Sequence, residues 1–122
     1  MAYTELTRVR LASLSGNECA FPGCTAPIFD TSHGAMVGQV CHIKGKKPGS
    51  ARYDPNQTEE ERDAFDNLIL MCSPHHKIID DPTTRDAFPV DMLLGYKIDH
   101  ESRFKNTVVK EDVLGRFVAL LA

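Results

Sequence analysis

Two short residue pairs carry the spacing most able to do chemistry. Cys19-Ala20-Phe21-Pro22-Gly23-Cys24 is a C-x4-C pair, and Cys72-Ser73-Pro74-His75 is a C-x2-H pair. Together they offer three thiolates and one imidazole, a closed Cys3His set that suits tetrahedral structural zinc. Short spacing lets each half chelate with little chain entropy to lose. The competing reading, buried small hydrophobes and a surface His75, loses weight because both pairs occur in one chain. The remaining cysteine, Cys41, alternates with Val37 and Gln39 along one face of a strand, which assigns it to packing.

A second feature is the run from His42 to Tyr53. It holds four cations, Lys44, Lys46, Lys47 and Arg52, and no acid. Two readings stand side by side: a plain solvated face, or a loop that grips phosphate beside His42. A histidine near its ordinary pKa of about 6.5 can take a proton at neutral pH.

These residues need elements to hold them. Leu6, Val9 and Leu14 recur at helical spacing over residues 4–14, and Gly16 ends the run. Residues 17–35, rich in Cys, Pro, Gly and Thr, read as a knuckle. Residues 36–43 read as a strand, 44–60 as a long polar loop, 59–65 as a helical turn and 67–71 as a short apolar strand. A helix follows, with Ser73 expected as its N-cap and Pro74 as its first residue, limited by Pro82. Two further helices are expected over about 89–104 and 110–120, carrying Met92, Leu93, Tyr96 and Phe104, then Val113, Leu114, Phe117, Val118 and Leu121. The chain of 122 residues is bounded to a single domain, 1–122, with a knuckle and core over 17–81 and C-terminal helices over 89–121.

Taken together, Cys41-His42-Ile43 and the string Asn67-Leu68-Ile69-Leu70-Met71-Cys72-Ser73-Pro74-His75-His76 resemble the signature of the HNH nucleases: a His closing a strand, a distant Asn, and a His nine residues after it. The wider string, from Cys41-His42-Ile43-Lys44-Gly45 through Arg52-Tyr53-Asp54 to Phe65-Asp66-Asn67-Leu68, is similar to HNH modules of bacterial anti-phage defence. The resemblance implies an α+β fold: a ββα-metal core with a zinc knuckle, flanked by an N-terminal helix and C-terminal helices. It implies His42 as the base that activates water, Asn67 as the residue that pins the loop and orients that base, and His76 as a ligand of a catalytic metal. His75 and His76 point about 100° apart on a helix, so one can face zinc and the other a second site. Asp80, four residues after His76 on the same face, is a second ligand candidate, and a carboxylate suits Mg2+ or Mn2+. Many family members carry Asp or His just before the base, where this chain has Cys41. His33 and His100 fall outside both constellations.

The function expected from this reading is metal-dependent hydrolysis of DNA phosphodiester bonds with low intrinsic sequence specificity, in a defence effector. Similar modules work as the N-terminal effector of larger sensor proteins, so a sensor domain, a partner protein or a homo-oligomer is expected with it. The alternative is a non-catalytic, zinc-stabilised module that binds nucleic acid or a partner. A formal net charge of −3, from 14 basic and 17 acidic residues, disfavours a module that depends on bulk electrostatic affinity. A Cys–His hydrolase is excluded on geometry, because Cys41 and His42 are neighbours on a strand and point to opposite faces. No apolar stretch reaches the roughly 18–20 residues of a membrane span, and the N-terminus has no apolar signal core. A reducing cytoplasm is the expected compartment, where cysteines at short spacing serve metals rather than disulfides.

Overall fold

A computed structural model describes residues 3–105; the helix expected over about 110–120 lies outside them. The first helix, α1 (Glu5–Ser13), starts where the Thr4 hydroxyl accepts the Thr7 N–H. Its buried residues are Leu11 and Ala12, with Val9 and Leu14 half-buried, while Leu6 is exposed. The helical period is as expected, but the stripe is rotated, because α1 lies across β4 (Leu68–Cys72) and only the residues facing that strand are covered.

The knuckle contains a small antiparallel pair, β1 (Phe29–Asp30) and β2 (Ala35–Met36). The chain then enters β3 (Gly38–His42), which pairs antiparallel with β4, Gly38 opposite Cys72 and His42 opposite Leu68. The single strand expected over 36–43 is therefore broken at Val37, where two successive amides, of Val37 and Gly38, both donate to the Ile28 carbonyl. A Cβ at position 38 would lie 2.7 Å from Ile28 Cδ1 and 2.9 Å from the Met71 carbonyl, so this crossing requires glycine.

All five residues of β4 are buried, with α1 and α3 (Ser73–Asp80) packed against it. Burying side chains such as Leu68, Ile69 and Met71 contributes on the order of 1.5–3 kcal/mol each. β3, β4 and α3 form the ββα unit. The N-cap of α3 is Cys72, one residue earlier than expected, with Pro74 in the first turn. Ser73 does not cap, because its hydroxyl is used to donate to the Val37 carbonyl and ties the helix start to the β3 entry.

Residues 43–67 connect the two long strands. The basic loop turns at Gly45, whose amide donates to the Ala51 carbonyl and where a Cβ would come within 2.6 Å of that oxygen. A short helix, α2 (Glu59–Arg62), is fixed by a capping box in which Thr58 and Glu61 exchange side-chain and backbone hydrogen bonds of 2.9 and 3.1 Å. A 3₁₀ turn over Phe65–Asn67 then leads into β4. The last described helix, α4 (Val90–Ser102), buries Leu93, Lys97 and His100. Lys97 lies over the Phe65 ring at 3.7 Å and pairs with Glu101 at 2.6 Å, and His100 Nε2 donates to the Ser15 carbonyl at 2.8 Å. Among the described residues, no helix is long and apolar enough to cross a membrane.

Candidate functional site

Folding brings the two ligand pairs together. The knuckle carries Cys19 and Cys24, and the β4–α3 junction carries Cys72 and His75; one ligand atom from each lies within 4.8 Å of all the others. The separations are 3.6 Å for Cys19 Sγ to His75 Nδ1, 3.2 Å for Cys72 Sγ to His75 Nδ1 and 4.0 Å for Cys24 Sγ to Cys72 Sγ. Zinc–sulfur bonds of about 2.3 Å give tetrahedral sulfur–sulfur edges near 3.8 Å and slightly shorter sulfur–nitrogen edges, so this set fits zinc. Burial pushes the Cys19 thiol up to about 12, so a thiolate there at neutral pH needs a cation beside it. The His75 ring stacks on Phe21, with centroids 4.0 Å apart, and Phe21 meets Phe88 and Tyr96 edge-on. The knuckle, α3 and α4 are thereby joined around the Cys3His set.

His42 closes β3, and its Nε2 lies 2.9 Å from Asp63 Oδ1. Asp63 is the residue that ends α2 and is nearly inaccessible. Both of its oxygens also accept from Lys46 Nζ, at 3.2 and 2.9 Å. Burial works to raise the Asp63 pKa, but the hydrogen bonds from His42 and Lys46 outweigh it and hold the carboxyl below its ordinary value. Asp63 carries no mark in the sequence. It closes a stretch already crowded with acids, Glu59 to Glu61, and only the capped turn of α2 aims it at His42.

Asn67 holds the backbone beside His42. Its Oδ1 accepts the Lys44 N–H at 2.9 Å, and its Nδ2 donates to the Lys44 carbonyl at 2.9 Å and the Arg62 carbonyl at 2.8 Å. One buried amide thus clasps both backbone groups of the residue two after His42, and ties them to α2. The Ile43 amide adds a bond to the Asn67 carbonyl at 2.8 Å, continuing the β3–β4 ladder past His42.

On α3, His75 turns to the zinc set and His76 turns away from it. His76 Nε2 is 3.0 Å from Asp80 Oδ2, and the other Asp80 oxygen receives Arg52 at 2.6 Å. For metal–ligand bonds of about 2.0–2.1 Å, adjacent positions of an octahedron are about 3 Å apart, so His76 and Asp80 fit as neighbours around a hard divalent ion. Cys41 is not part of this arrangement. It is 1% exposed, and burial drives its thiol far above the ordinary range, with the nearby Asp80 charge adding to the effect. Such a cysteine packs and neither ligates nor attacks.

The four cations of the basic loop have different surroundings. Lys44 pairs with Asp54 at 3.1 Å, Lys46 with Asp63, and Lys47 is exposed with no ion pair among the described residues. Arg52 is buried at its guanidinium. It donates to the carbonyls of Ile43, Ile79 and Phe88 as well as to Asp80, from a left-handed backbone with φ 57°. It is a strut between the end of β3 and the end of α3, a role no charge count distinguishes from that of its lysine neighbours. Among the described residues no hydrogen bond or ion pair joins His42 directly to His76; Arg52 links their surroundings, through the Ile43 carbonyl on one side and Asp80 on the other. His33 meets only Asp30, on the surface, and His100 is a core residue.

A family model described as HNH endonuclease matches residues 19–83, more than half of the chain. The matched span begins on Cys19 and ends just past Asp80, so it contains the Cys3His set, the β3–β4 pair, the Asn67 clasp and the His75-His76 helix. No curated protein matches the chain. The chain belongs to the HNH endonuclease family, which makes its function nuclease-type and metal-dependent with nucleic acid as the substrate.

Proposed function

We propose that this protein hydrolyses DNA phosphodiester bonds as a metal-dependent endonuclease, with His42 as the general base. The observation that carries the reading is the Asn67 clasp, which holds the chain just after His42 through two hydrogen bonds to Lys44 and anchors it by a third to the Arg62 carbonyl. A base acts only when its ring is held in register with the water it deprotonates. His42 accepts the proton of the attacking water at a ring nitrogen. His76 and Asp80 would hold the catalytic ion, and Arg52 fixes the Asp80 carboxylate orientation from behind. When bound, Mg2+ or Mn2+ supplies charge neutralisation at the phosphate and stabilisation of the leaving oxygen. Lys47, with Lys44 and Lys46 beside it, supplies the cationic approach to the phosphate backbone. The buried guanidinium makes Arg52 the least available of the four for phosphate contact.

Phosphate contacts of this kind orient a duplex without reading it. No described helix is rich in Arg, Asn and Gln of the kind that reads base edges, which supports low sequence specificity. The reading extends, on the resemblance of residues 41–68 to defence modules alone, to an anti-phage effector that acts with a sensor domain, a partner protein or further copies of itself. The test is incubation of unrelated plasmids with the protein and Mg2+ or Mn2+, beside His42→Ala. Cleavage without a discrete fragment pattern, lost by about 10²–10⁴ in the variant while zinc content and melting temperature are kept, is the expected result. Equal cleavage by His42→Ala overturns the assignment, and binding without cleavage by the wild type favours the non-catalytic zinc module.

A further inference from the structure

We propose that Asp63 is a positioning residue for His42: it fixes the ring tautomer so that Nδ1 is the nitrogen presented to water. The inference rests on His42 being the base. It is carried by the geometry of Asp63, whose carboxylate reaches His42 Nε2 at 2.9 Å and is itself held at both oxygens by Lys46. An ionised carboxylate has no proton to give, so the hydrogen between the two belongs to Nε2. That leaves the lone pair on Nδ1, which makes no hydrogen bond among the described residues. When Nδ1 takes a proton from water, the resulting imidazolium is stabilised by the adjacent negative charge, and no proton passes to Asp63. The charged groups in contact with the ring and its partner are Asp63 and Lys46. Lys46 keeps the carboxylate ionised and aimed, and so ties the basic loop to the base it flanks.

The sequence separates these residues by up to 21 positions, and three local devices bring them together. The Thr58–Glu61 capping box sets α2, Asp63 follows as its last half-turn, and Asn67 draws the Arg62 carbonyl toward Lys44. A carboxylate delivered in this way to one nitrogen of an imidazole does more than close a surface ion pair, because Asp63 itself is buried.

The test uses the full chain loaded with zinc, labelled with 15N in its histidine rings. His42→Ala identifies the His42 ring signals. When neutral, the wild-type ring should be in the Nε2–H form, and Asp63→Asn should convert a measurable fraction to the Nδ1–H form. Cleavage of a fluorescent duplex should fall about 10²–10⁴-fold in Asp63→Asn, as when a base is left in the wrong tautomer. Zinc content and melting temperature serve as controls on the fold. If Asp63→Asn fails to fold, the wild-type ring signals decide by themselves. An Nδ1–H ring in the wild type, or an Asp63→Asn variant with unchanged rate and unchanged tautomer, overturns the role of Asp63 while His42→Ala remains inactive. Undiminished cleavage by His42→Ala is a different outcome, and it removes the base assignment itself.

Discussion

Replacing Asn67 by alanine removes the side chain that ties the chain after His42 to the end of α2. The substitution deletes three hydrogen bonds of 2.8–2.9 Å and leaves the Lys44 N–H, the Lys44 carbonyl and the Arg62 carbonyl without their partners. Each bond contributes about 0.5–1.5 kcal/mol net, and the site is too enclosed for water to replace all three, so Asn67→Ala should cost about 2–4 kcal/mol. Domains of this size are stable by about 5–15 kcal/mol, so the variant should fold but unfold at distinctly lower urea concentration. Asn67→Asp should be no better at neutral pH. It keeps an acceptor for the Lys44 N–H but sets a carboxylate oxygen against two carbonyls. Urea titration at saturating zinc measures the stability, and hydrogen exchange at the Lys44 amide measures the local hold, which should loosen in both variants. An Asn67→Ala protein within about 0.5 kcal/mol of wild type, with the Lys44 amide equally protected, would refute the clasp as an energetic feature.

Elemental analysis after dialysis should find about one zinc per chain, the capacity of a single Cys3His site, and a folded protein without it would remove the assignment. Cys24→Ser should unfold much of the chain at ordinary temperature, read by circular dichroism, because structural zinc contributes about 10–16 kcal/mol, as much as the whole fold is stable by. Arg52→Lys keeps the charge but loses the planar fork that reaches three carbonyls and Asp80, and should cost about 2–4 kcal/mol in urea unfolding. A variant with wild-type stability but weaker binding to duplex DNA would instead place Arg52 at the phosphate.

What can be read from this sequence is what chemistry enforces over short distances. A chelating pair is a local arrangement, so Cys19 with Cys24 and Cys72 with His75 declare themselves by spacing, and together they number the four ligands a structural zinc takes. The divergent headings of His75 and His76, and the alignment of His76 with Asp80, follow from 3.6 residues per turn and hold in α3 as expected. The strand that ends on His42 and the one that follows Asn67 show through their apolar runs. Capping at α3 is off by one residue because Ser73 has a competing acceptor, the Val37 carbonyl, 36 positions away.

Long-range polar contacts are where the sequence is silent. Lys97 and His100 occupy the buried stripe of α4 with Leu93, since Phe65, Glu101 and the Ser15 carbonyl supply the partners that make their burial tolerable. Leu6 is left outside because α1 turns a different face to β4. Lys44, Lys46, Lys47 and Arg52 look alike as a run of cations, yet one ends as a buried strut and another as the holder of Asp63. Sequence by itself determined the ligand types, their spacing and the period of the elements, because these depend on neighbours within a turn or a pair. Only the tertiary structure decided which acid faces His42 and which cation is spent on backbone carbonyls, because a buried charge takes its role from partners that folding brings to it from other elements.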